Sequence, residues 1–326
     1  MNSNSYETFA NYRDKKVLVT GADGFMGSHL TEKLLELGAK VTVFVRGTSV
    51  TGTHQYELKN ISHLVSKVEI VAANIASRDT IQLIKQVQPD IILHLAAEAY
   101  VPKSFSQPLE VFAVNLDGTL NVLEATRQLP NLERVVITSS SEVYGTYPEP
   151  ITESCLLNPT SPYGASKAAA DRAAYSWHVT YKLPIAIIRP FNTYGPRHTY
   201  DVIPKFIDLA LSNKPLTIYG DGRQSRDFTY VSDTVDAFLL MGIHPNAVGQ
   251  TVNFGAGTAI TITTIAQEIL KLAESSSEIV YLKDRLAEVD SLTCNWNKAN
   301  KLFNWAPKVN LAQGLALNIQ WAKSRL

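Results

Sequence analysis

Three side chains of this sequence, Ser140, Tyr163 and Lys167, have the types and spacing needed to take a proton from an alcohol. Lys167 follows Tyr163 by four positions, so on a helix the two side chains share a face. A free tyrosine has a pKa near ~10, and a neighbouring ammonium favours the phenolate, which makes the phenol a usable base. Ser140 brings a hydroxyl from another segment. The trio predicts oxidation of an alcohol, in which a hydride leaves the carbon.

A carboxylate two positions after Ser140 indicates a further chemical step. Glu142 and the intervening Ser141 complete the run Ser140-Ser141-Glu142. Oxidation of an alcohol alone does not require this acid. Glu142 is therefore a candidate for a chemical step beyond that oxidation. The alternative is a solvated or salt-bridged loop residue.

A glycine-rich segment near the start of the chain predicts a dinucleotide site. The strand-like run 16–20 (KVLVT) leads into three glycines, and residues 28–37 have helical periodicity. Such glycines permit a tight turn and close approach of the backbone to a pyrophosphate, and the helix N-terminus supplies N–H groups to it. The alternative is an ordinary turn between a strand and a helix. The predicted cofactor residues of this segment are Gly21, Gly24, Phe25, Met26 and Gly27.

The end of the second predicted strand bears on the choice of dinucleotide. In NAD-binding proteins this strand is normally followed by an acidic residue that binds the adenosine ribose. Here the strand ends at Val45 and Arg46 follows, and an arginine suits a 2′-phosphate, whose charge a carboxylate would repel. The sequence therefore favours NADP slightly over NAD, unless Arg46 is only a solvated charge. Asn74 and Ile75, after the third predicted strand, are candidate contacts for the adenine.

The elements that must position these side chains alternate along the first two-thirds of the chain. Apolar runs predict buried strands at 16–20, 41–45, 68–71, 91–94, 134–138 and 185–189. Helical patterns lie at 27–37, 80–87, 111–128 and 163–181. Apolar runs without polar alternation are typical of a parallel sheet covered on both faces. We therefore predict an α/β fold with a doubly wound parallel sheet, whose ligands bind at the carboxyl ends of the strands.

The sequence changes character after Pro190, where loops rich in glycine and proline interrupt shorter elements. The run 251–254 (TVNF) predicts one more strand, which returns to the main sheet. The predicted dinucleotide-binding domain comprises residues 1–190 and 228–256. A smaller C-terminal α/β domain, expected to bind the substrate, comprises residues 191–227 and 257–326.

Composition and charge argue against several kinds of partner. The 326 residues are 45% apolar and 18% charged, which is ordinary for a globular protein with a full core. Thirty basic residues balance thirty acidic ones, so no bulk field favours nucleic acid or a membrane surface. Two isolated cysteines, Cys155 and Cys294, suggest neither a disulfide framework nor a metal site. A polar start and the lack of an apolar run of ~20 residues predict a cytoplasmic protein.

Taken together, the motifs resemble the extended short-chain dehydrogenase/reductase family, in its nucleotide-sugar epimerase/dehydratase branch. The fold of that family is a Rossmann-type sheet with a smaller substrate-binding domain, and 4,6-dehydratases are the closest in motif. The resemblance covers the chain from about residue 15 to its end. The matching segments are Gly21-x-x-Gly24-x-x-Gly27, His94-Leu95-Ala96-Ala97, Asn115-x-x-Gly118-Thr119, Ser139 to Gly145, Tyr163 to Lys167, Arg189-Pro190-Phe191-Asn192-x-Tyr194-Gly195-Pro196 and Arg226-Asp227-Phe228-x-Tyr230-Val231-x-Asp233.

The resemblance implies roles for the matching positions in catalysis and cofactor binding. Tyr163 is expected to be the base for the hydroxyl at carbon 4 of the sugar. Lys167 is expected to bind the nicotinamide ribose and to lower the pKa of the phenol, and Ser140 to share the proton. The residues expected to line the cofactor, with Asn115 in support, are Leu95, Ala96 and Ala97.

The resemblance also implies a set of substrate contacts. Asn192, Arg226 and Arg285 are expected to hold the nucleotide sugar, and the two arginines to face its diphosphate, which a guanidinium can bind through two parallel hydrogen bonds. For Arg226 the alternative is a surface pair with Asp227. His94 is expected to be a packed residue at a strand end, and no role is assigned to it.

Several reactions share the first step, which oxidises carbon 4 to a ketone. In a 4,6-dehydratase Glu142 would then remove the hydrogen from carbon 5, and the hydroxyl at carbon 6 would leave. Many dehydratases have Asp where this chain has Ser141, and a serine is a poor acid for that departure. A 4-epimerase, which needs no base at carbon 5, and a UDP-glucuronate decarboxylase remain alternatives. The dehydratase is favoured, so we expect a lyase rather than an isomerase.

Two further expectations concern the molecule as a whole. The predicted helices 111–128 and 163–181 have apolar stripes beyond those that the sheet needs, and family members commonly dimerise through such a pair as a four-helix bundle. We therefore predict a homodimer. A non-catalytic protein that senses NAD(P) on the same fold is the alternative from another functional class, and it is disfavoured because both Tyr163 and Lys167 are present.

Overall fold

The computed structural model describes residues 9–46, 58–148, 150–283 and 289–325. Within these ranges the chain alternates between strands and helices. The strands, numbered in chain order, are β1 Lys16–Thr20, β2 Lys40–Val45, β3 Glu69–Ala72, β4 Ile91–His94, β5 Arg134–Thr138, β6 Ile185–Pro190, β7 Asn192–Tyr194, β8 Leu216–Tyr219, β9 Ser225–Tyr230, β10 Thr251–Phe254, β11 Ala259–Thr261 and β12 Ile279–Leu282. The helices are α1 Phe25–Glu36, α2 Asp79–Val87, α3 Val101–Ser106, α4 Pro108–Phe112, α5 Gly118–Thr126, α6 Pro162–Tyr181, α7 Val202–Leu211, α8 Val231–Ile243, α9 Ile262–Ala273, α10 Asn297–Phe303 and α11 Leu311–Lys323.

The main sheet has seven strands in the order β10-β6-β5-β4-β1-β2-β3. Strand β1 pairs in parallel with β2 and β4, and the pairs β2–β3, β4–β5 and β5–β6 are parallel as well. All residues of β4, β5 and β6 are buried, as the continuous apolar runs predict. The predicted Rossmann-type α/β fold is confirmed, and the run 251–254 forms a strand of this sheet.

The strand order reverses between β1 and β4, which defines the switch point where ligands bind in such sheets. Helices α1 and α2 begin after the carboxyl ends of β1 and β3. The predicted helix 111–128 is interrupted, because a π turn at Ala113–Asp117 joins α4 to α5. The N–H of Gly118 bonds the carbonyl oxygen of Ala113, five residues back. Hydrophobic periodicity does not reveal such a turn, since it displaces the apolar stripe by a single residue.

The chain divides into two compact units. The first comprises residues 1–140, 162–189 and 235–252, and its apolar core includes Leu18, Ile92, Val135 and Ile187 from the sheet. The second comprises residues 141–161, 190–234 and 253–326. Unlike the predicted boundaries, this division places residues 141–161, 190, 228–234 and 253–256 with the second unit. The roles of the units as cofactor and substrate domains stay a prediction.

The second unit contains two small sheets. In one, β9 lies between β7 and β11, parallel to the former and antiparallel to the latter. In the other, β8 and β12 are parallel. None of the helices within the described ranges is long and apolar enough to cross a membrane. The same residues contain no cluster of three or more His, Cys, Asp or Glu side chains that would hold a metal ion.

Candidate active site

The glycine-rich loop between β1 and α1 has the geometry of a phosphate cradle. Gly21 has φ 71°, and a Cβ atom there would lie 2.8 Å from the backbone nitrogen of Ala96. A Cβ atom at Gly27 would lie 2.1 Å from the carbonyl oxygen of Gly21. Helix α1 starts after Gly24 without a side-chain cap and without an acidic residue in its first turn. Its first N–H groups therefore suit an anion, and the residues present fit a dinucleotide diphosphate.

The other predicted cofactor residues of the first unit follow the carboxyl ends of neighbouring strands. Leu95, Ala96 and Ala97 follow β4, and the N–H of Ala96 donates to Thr20 Oγ1 at 3.1 Å. The carbonyl oxygen of Ile75 accepts from Asn121 Nδ2 at 3.0 Å. Asn74 Oδ1 accepts from the N–H of Ala76 at 3.1 Å in a local turn. Arg46 is exposed directly after β2, and Phe25 and Met26 begin α1.

Tyr163 and Lys167 both lie on α6 and are both buried. The Lys167 ammonium donates to the carbonyl oxygen of Thr138, the last residue of β5. Burial lowers the pKa of Lys167 to about 8, although the carboxylate of Asp171 opposes that shift. Ser140 follows β5 by two positions and is also buried. The first unit therefore holds all three members of the predicted trio around the end of β5 and the start of α6.

An ion pair that sequence reasoning missed ties α6 to β6. Asp171 Oδ2 accepts from Arg189 Nε at 2.8 Å, and Asp171 Oδ1 from Arg189 Nη2 at 3.0 Å. Both side chains are buried, and the half-exposed guanidinium of Arg172 also binds Asp171. The two guanidinium groups hold the pKa of Asp171 below its usual value against the effect of burial. The pairing links residues 18 positions apart, and no local pattern predicts it.

Asn115 lies in the π turn and bonds the helix that carries Tyr163 and Lys167, and its supporting role toward the cofactor stays a prediction. Its Oδ1 accepts from the N–H of Glu98 at 2.8 Å, and its Nδ2 donates to the carbonyl oxygen of Glu98 at 3.1 Å. The same Nδ2 donates to Ser166 Oγ at 2.9 Å, and Ser166 Oγ donates to the carbonyl oxygen of Tyr163 at 2.7 Å. Sequence reasoning missed Glu98 and Ser166.

Ser141 and Glu142 belong to the second unit, where they form a short 3₁₀ turn, Ser141–Val143. Ser141 is buried and Glu142 is partly exposed. The turn is anchored by Tyr144, whose hydroxyl donates to Asn253 Oδ1 at 2.8 Å. Gly145, at φ 67°, follows, and a Cβ atom there would lie 2.2 Å from the carbonyl oxygen of Asn158. The backbone that carries Glu142 is therefore fixed on its carboxyl-terminal side.

The predicted substrate residues of the second unit lie on two adjacent strands. Asn192 is in β7, and its Oδ1 is buried without a hydrogen-bond partner among the described residues. Arg226 is in β9, and its Nη1 donates to the carbonyl oxygens of Ser225 at 2.8 Å and Val289 at 2.5 Å. Arg285 lies outside the described residues.

The alternative reading of Arg226, a surface pair with Asp227, is wrong about the position of Asp227. Asp227 is fully buried, and its carboxylate accepts backbone N–H bonds from Ala256 at 2.6 Å, Gly257 at 2.8 Å and Cys294 at 2.9 Å. Burial nevertheless raises its pKa to about 6. Asp227 therefore fastens the loop after β10 to the segment at Cys294.

The doubly wound sheet, its glycine-rich loop and the Tyr163–Lys167 pair define a protein of the short-chain dehydrogenase/reductase class. A family model described as GDP-mannose 4,6 dehydratase matches residues 18–317. The chain therefore belongs to the nucleotide-sugar epimerase/dehydratase family of extended short-chain dehydrogenases/reductases.

Known relatives in this family differ in their reactions. The chain is 32% identical to an uncharacterized UDP-glucose epimerase of Bacillus subtilis, over 95% of this chain and 98% of that protein. It is 33% identical to a UDP-N-acetyl-alpha-D-glucosaminuronate decarboxylase of Bacillus cytotoxicus, over 94% and 97%. A dTDP-glucose 4,6-dehydratase of Bacillus anthracis, solved in complex with NAD, superposes with a TM-score of 0.84 at 29% identity, over 95% and 97%.

Proposed function

We propose that the protein is an NAD(P)-dependent nucleotide-sugar 4,6-dehydratase that works through a transient 4-keto sugar. The observation that carries the proposal is Glu142, a partly exposed carboxylate in the turn that directly follows Ser140. A base at that point of the sequence has a use in dehydration and none in simple epimerisation. The family model, described as a dehydratase, supports the same choice.

The first step is assigned to the trio of the first unit. Tyr163 takes the proton from the hydroxyl at carbon 4, Ser140 shares it, and the charge of Lys167 favours the phenolate. The glycine-rich loop and Leu95, Ala96 and Ala97 would hold the cofactor, which would supply reversible hydride transfer when bound. The residues of the loop therefore bind and orient, whereas Tyr163 moves the proton.

The second step is assigned to Ser141 and Glu142. The ketone at carbon 4 acidifies the hydrogen on carbon 5, and Glu142 removes it as a proton. The hydroxyl on carbon 6 would leave as water with the proton that Glu142 took from carbon 5. The hydride removed from carbon 4 would add to carbon 6 and a solvent proton to carbon 5, while Tyr163 would release its proton to solvent, which completes the 4-keto-6-deoxy sugar. Ser141 is the candidate to assist the hydroxyl that leaves carbon 6. It offers a hydroxyl group where many dehydratases have an acid.

The substrate is proposed to be a nucleoside diphosphate sugar. Asn192, whose buried amide oxygen has no partner among the described residues, is a suitable contact for a hydroxyl of the ligand. Arg226 and Arg285 are the proposed contacts for the diphosphate, because a guanidinium binds two phosphate oxygens at once.

We also propose a homodimer formed through α4, α5 and α6, and a cytoplasmic location.

A 4-epimerase is the second candidate, and Ser141 favours it because a serine gives a leaving hydroxyl little acid assistance. The Bacillus subtilis relative named as an epimerase supports this reading, as the Bacillus cytotoxicus relative supports decarboxylation. Incubation with UDP-, GDP-, CDP- and dTDP-sugars in deuterated water, followed by mass spectrometry of the products, distinguishes the three reactions. Loss of one water with deuterium at carbon 5 supports dehydration, whereas an isobaric product without deuterium would eliminate it. Loss of carbon dioxide identifies the decarboxylase.

Glu142→Gln tests the assigned base directly. The substitution keeps the size of the side chain and removes its ability to accept a proton, so dehydration should stop. Oxidation at carbon 4, followed as reduced cofactor absorbance in a single turnover, should persist. Tyr163→Phe is the matched control and should abolish both steps. Unchanged formation of the dehydrated product by Glu142→Gln would remove Glu142 from the mechanism.

The cofactor is proposed to be NADP or NAD, and two observations point in opposite directions. Arg46 favours the 2′-phosphate of NADP. However, the pKa of Glu110 is lowered mainly by its hydrogen bond with Lys103 and least by the charge of Arg46, so a carboxylate shares the surroundings of Arg46. The Bacillus anthracis dehydratase was solved with NAD. Calorimetric titration with both cofactors decides the choice. Arg46→Ala should weaken NADP binding selectively if NADP is preferred, and should leave both affinities nearly unchanged if NAD is preferred.

A further inference from the structure

His94, the last residue of β4, is the centre of a buried hydrogen-bond chain that the proposed reaction does not use. Its Nδ1 lies 2.8 Å from Thr20 Oγ1 at the end of β1. Its Nε2 lies 3.1 Å from Thr119 Oγ1 on α5. The imidazole is 2% exposed, so solvent does not satisfy either nitrogen. Both partners are hydroxyl groups, and either can donate or accept.

The two hydroxyl groups fix which nitrogen of His94 carries the proton. Thr119 Oγ1 donates its single hydrogen to the carbonyl oxygen of Asn115 at 2.6 Å, so it can only accept from His94. Nε2 is therefore the protonated nitrogen, and Nδ1 accepts from Thr20. The oxygen of Thr20 in turn accepts the N–H of Ala96 at 3.1 Å. Only with a neutral imidazole does each group in this chain accept one hydrogen bond and donate the next.

The charged groups around His94 keep it neutral. Burial and the positive charge of Lys167, which α6 brings near the ring, lower the pKa of His94 to about 3. A second proton would place an N–H against the hydroxyl hydrogen of Thr20. Lys167 is the charged group that acts on His94 in the first unit, since Thr20 from β1 and Thr119 from α5 are uncharged.

The chain continues from Asn115 to the helix that carries the proposed base. Asn115 also donates through Nδ2 to Ser166 Oγ, and Ser166 bonds the carbonyl oxygen of Tyr163. One end therefore lies in the segment expected to bind the cofactor, where Thr20 precedes Gly21 and bonds Ala96. The other end lies at Tyr163. The π turn is the link between them, and π turns occur frequently at functional sites.

We propose that His94 is a positioning residue, which fixes the cofactor-binding loops relative to the helix of Tyr163 through Thr119 and the π turn. The inference rests on the proposed roles of Tyr163 and of the cofactor loops. Its physical basis is that proton and hydride leave the same alcohol, so their acceptors must be held at a defined separation. A small shift of α6 against β1 and β4 would therefore slow the oxidation without preventing substrate binding.

Thr119→Val tests the proposal, and the chain offers a close control in Thr126. Both threonines are buried on α5, and Thr126 Oγ1 bonds the carbonyl oxygen four residues back at 2.8 Å, as Thr119 does. Thr126 is not part of the His94 chain. We expect Thr119→Val to lower kcat for oxidation at carbon 4 about tenfold, equivalent to about 1.4 kcal/mol. The KM for the sugar should be unchanged, and Thr119→Ser should restore kcat to within about twofold.

Thr126→Val should reduce thermal stability as much as Thr119→Val and leave kcat within about twofold of the original. Equal losses of kcat in the two valine variants, or no recovery with Thr119→Ser, would overturn the positioning role. The kinetic comparison uses the single-turnover oxidation, and so it is independent of whether the final product is dehydrated or epimerised.

A spectroscopic measurement tests the same proposal without turnover. In protein labelled with ¹⁵N at histidine, His94 should give the signals of the neutral Nε2–H form at neutral and mildly acidic pH, with His94→Asn identifying the signals. Thr119→Val should alter them, and Thr126→Val should not. Signals of the Nδ1–H form or of the protonated ring would overturn the inference. If no nucleotide sugar is oxidised, the proposed function fails, and the histidine signals still decide whether the chain exists.

Discussion

The ammonium group of Lys167 is in surroundings that oppose its charge. The side chain is buried, and its pKa falls to about 8, with the Asp171 carboxylate offsetting part of the effect of burial. The usual value for a lysine is ~10.4. Lys167 is therefore charged at neutral pH and loses its proton as the pH rises through about 8. The charge that favours the phenolate of Tyr163 disappears over that range.

We predict that oxidation at carbon 4 reaches a maximum at neutral pH and declines as the pH rises through about 8. The measurement is the single-turnover rate across neutral and alkaline pH. Lys167→Arg is the control, because a guanidinium stays protonated there. It should lower the rate at neutral pH and move the decline to higher pH. A decline at the same pH in both proteins would show that another group causes it.

Helix α6 is held against the sheet by a buried charge pair. The two hydrogen bonds from Arg189 to Asp171 join the middle of α6 to β6, and the helix carries Tyr163 and Lys167 on the same face. A buried pair contributes little net stability when intact, whereas removal of one partner leaves an uncompensated charge. The orientation of α6 thus depends on a contact outside the proposed site.

We predict that Asp171→Asn lowers the free energy of unfolding by about 3–5 kcal/mol, because Arg189 keeps its charge in a buried position. Unfolding in urea, followed by circular dichroism, gives the value. Arg172→Gln removes a guanidinium from the same carboxylate at a half-exposed position, where a loss of about 0–1 kcal/mol is expected. If the two variants lost similar amounts of unfolding free energy, burial of the charge would not explain the cost of Asp171→Asn.

At the scale of the whole molecule, apolar side chains remain exposed on the helices predicted to form a dimer. Leu109 on α4 is 85% exposed, and Tyr175 and Val179 on α6 are 49% and 44% exposed. Large apolar side chains left exposed on helices suit an interaction surface when they lie together. The predicted four-helix bundle would cover these side chains with the same helices of a second copy.

We predict a homodimer at micromolar concentration, measured by sedimentation equilibrium. Val179→Glu should shift the protein toward the monomer, because dimerisation would bury an unpaired charge. Leu317→Glu, at a comparably exposed position on α11 in the second unit, should leave the mass unchanged. A monomeric mass for the unsubstituted protein, or equal effects of the two substitutions, would rule out this interface.

The main strands, the long helices and the fold class could be predicted from local sequence patterns. The bounds of β1, β4, β5 and β10 agree with the predicted runs, because strands covered on both faces are predominantly apolar. The glycine spacing predicted a tight loop between β1 and α1, where close backbone contacts exclude a Cβ atom. The Tyr163–Lys167 spacing placed both side chains on one helix face. These signals are local, and each can be recognised within a short segment.

The contacts by which distant segments hold these residues in place come from the fold. His94 is packed at the end of β4 as expected, and its bonds to Thr20 and Thr119, which no local pattern predicts, span 74 and 25 positions. The Asp171–Arg189 pair and the π turn at Asn115 were equally invisible in the sequence. Each depends on the sheet order that brings β1, β4, β6 and the helices together. The type of each side chain can be read from the sequence, whereas its hydrogen-bond partners depend on the fold.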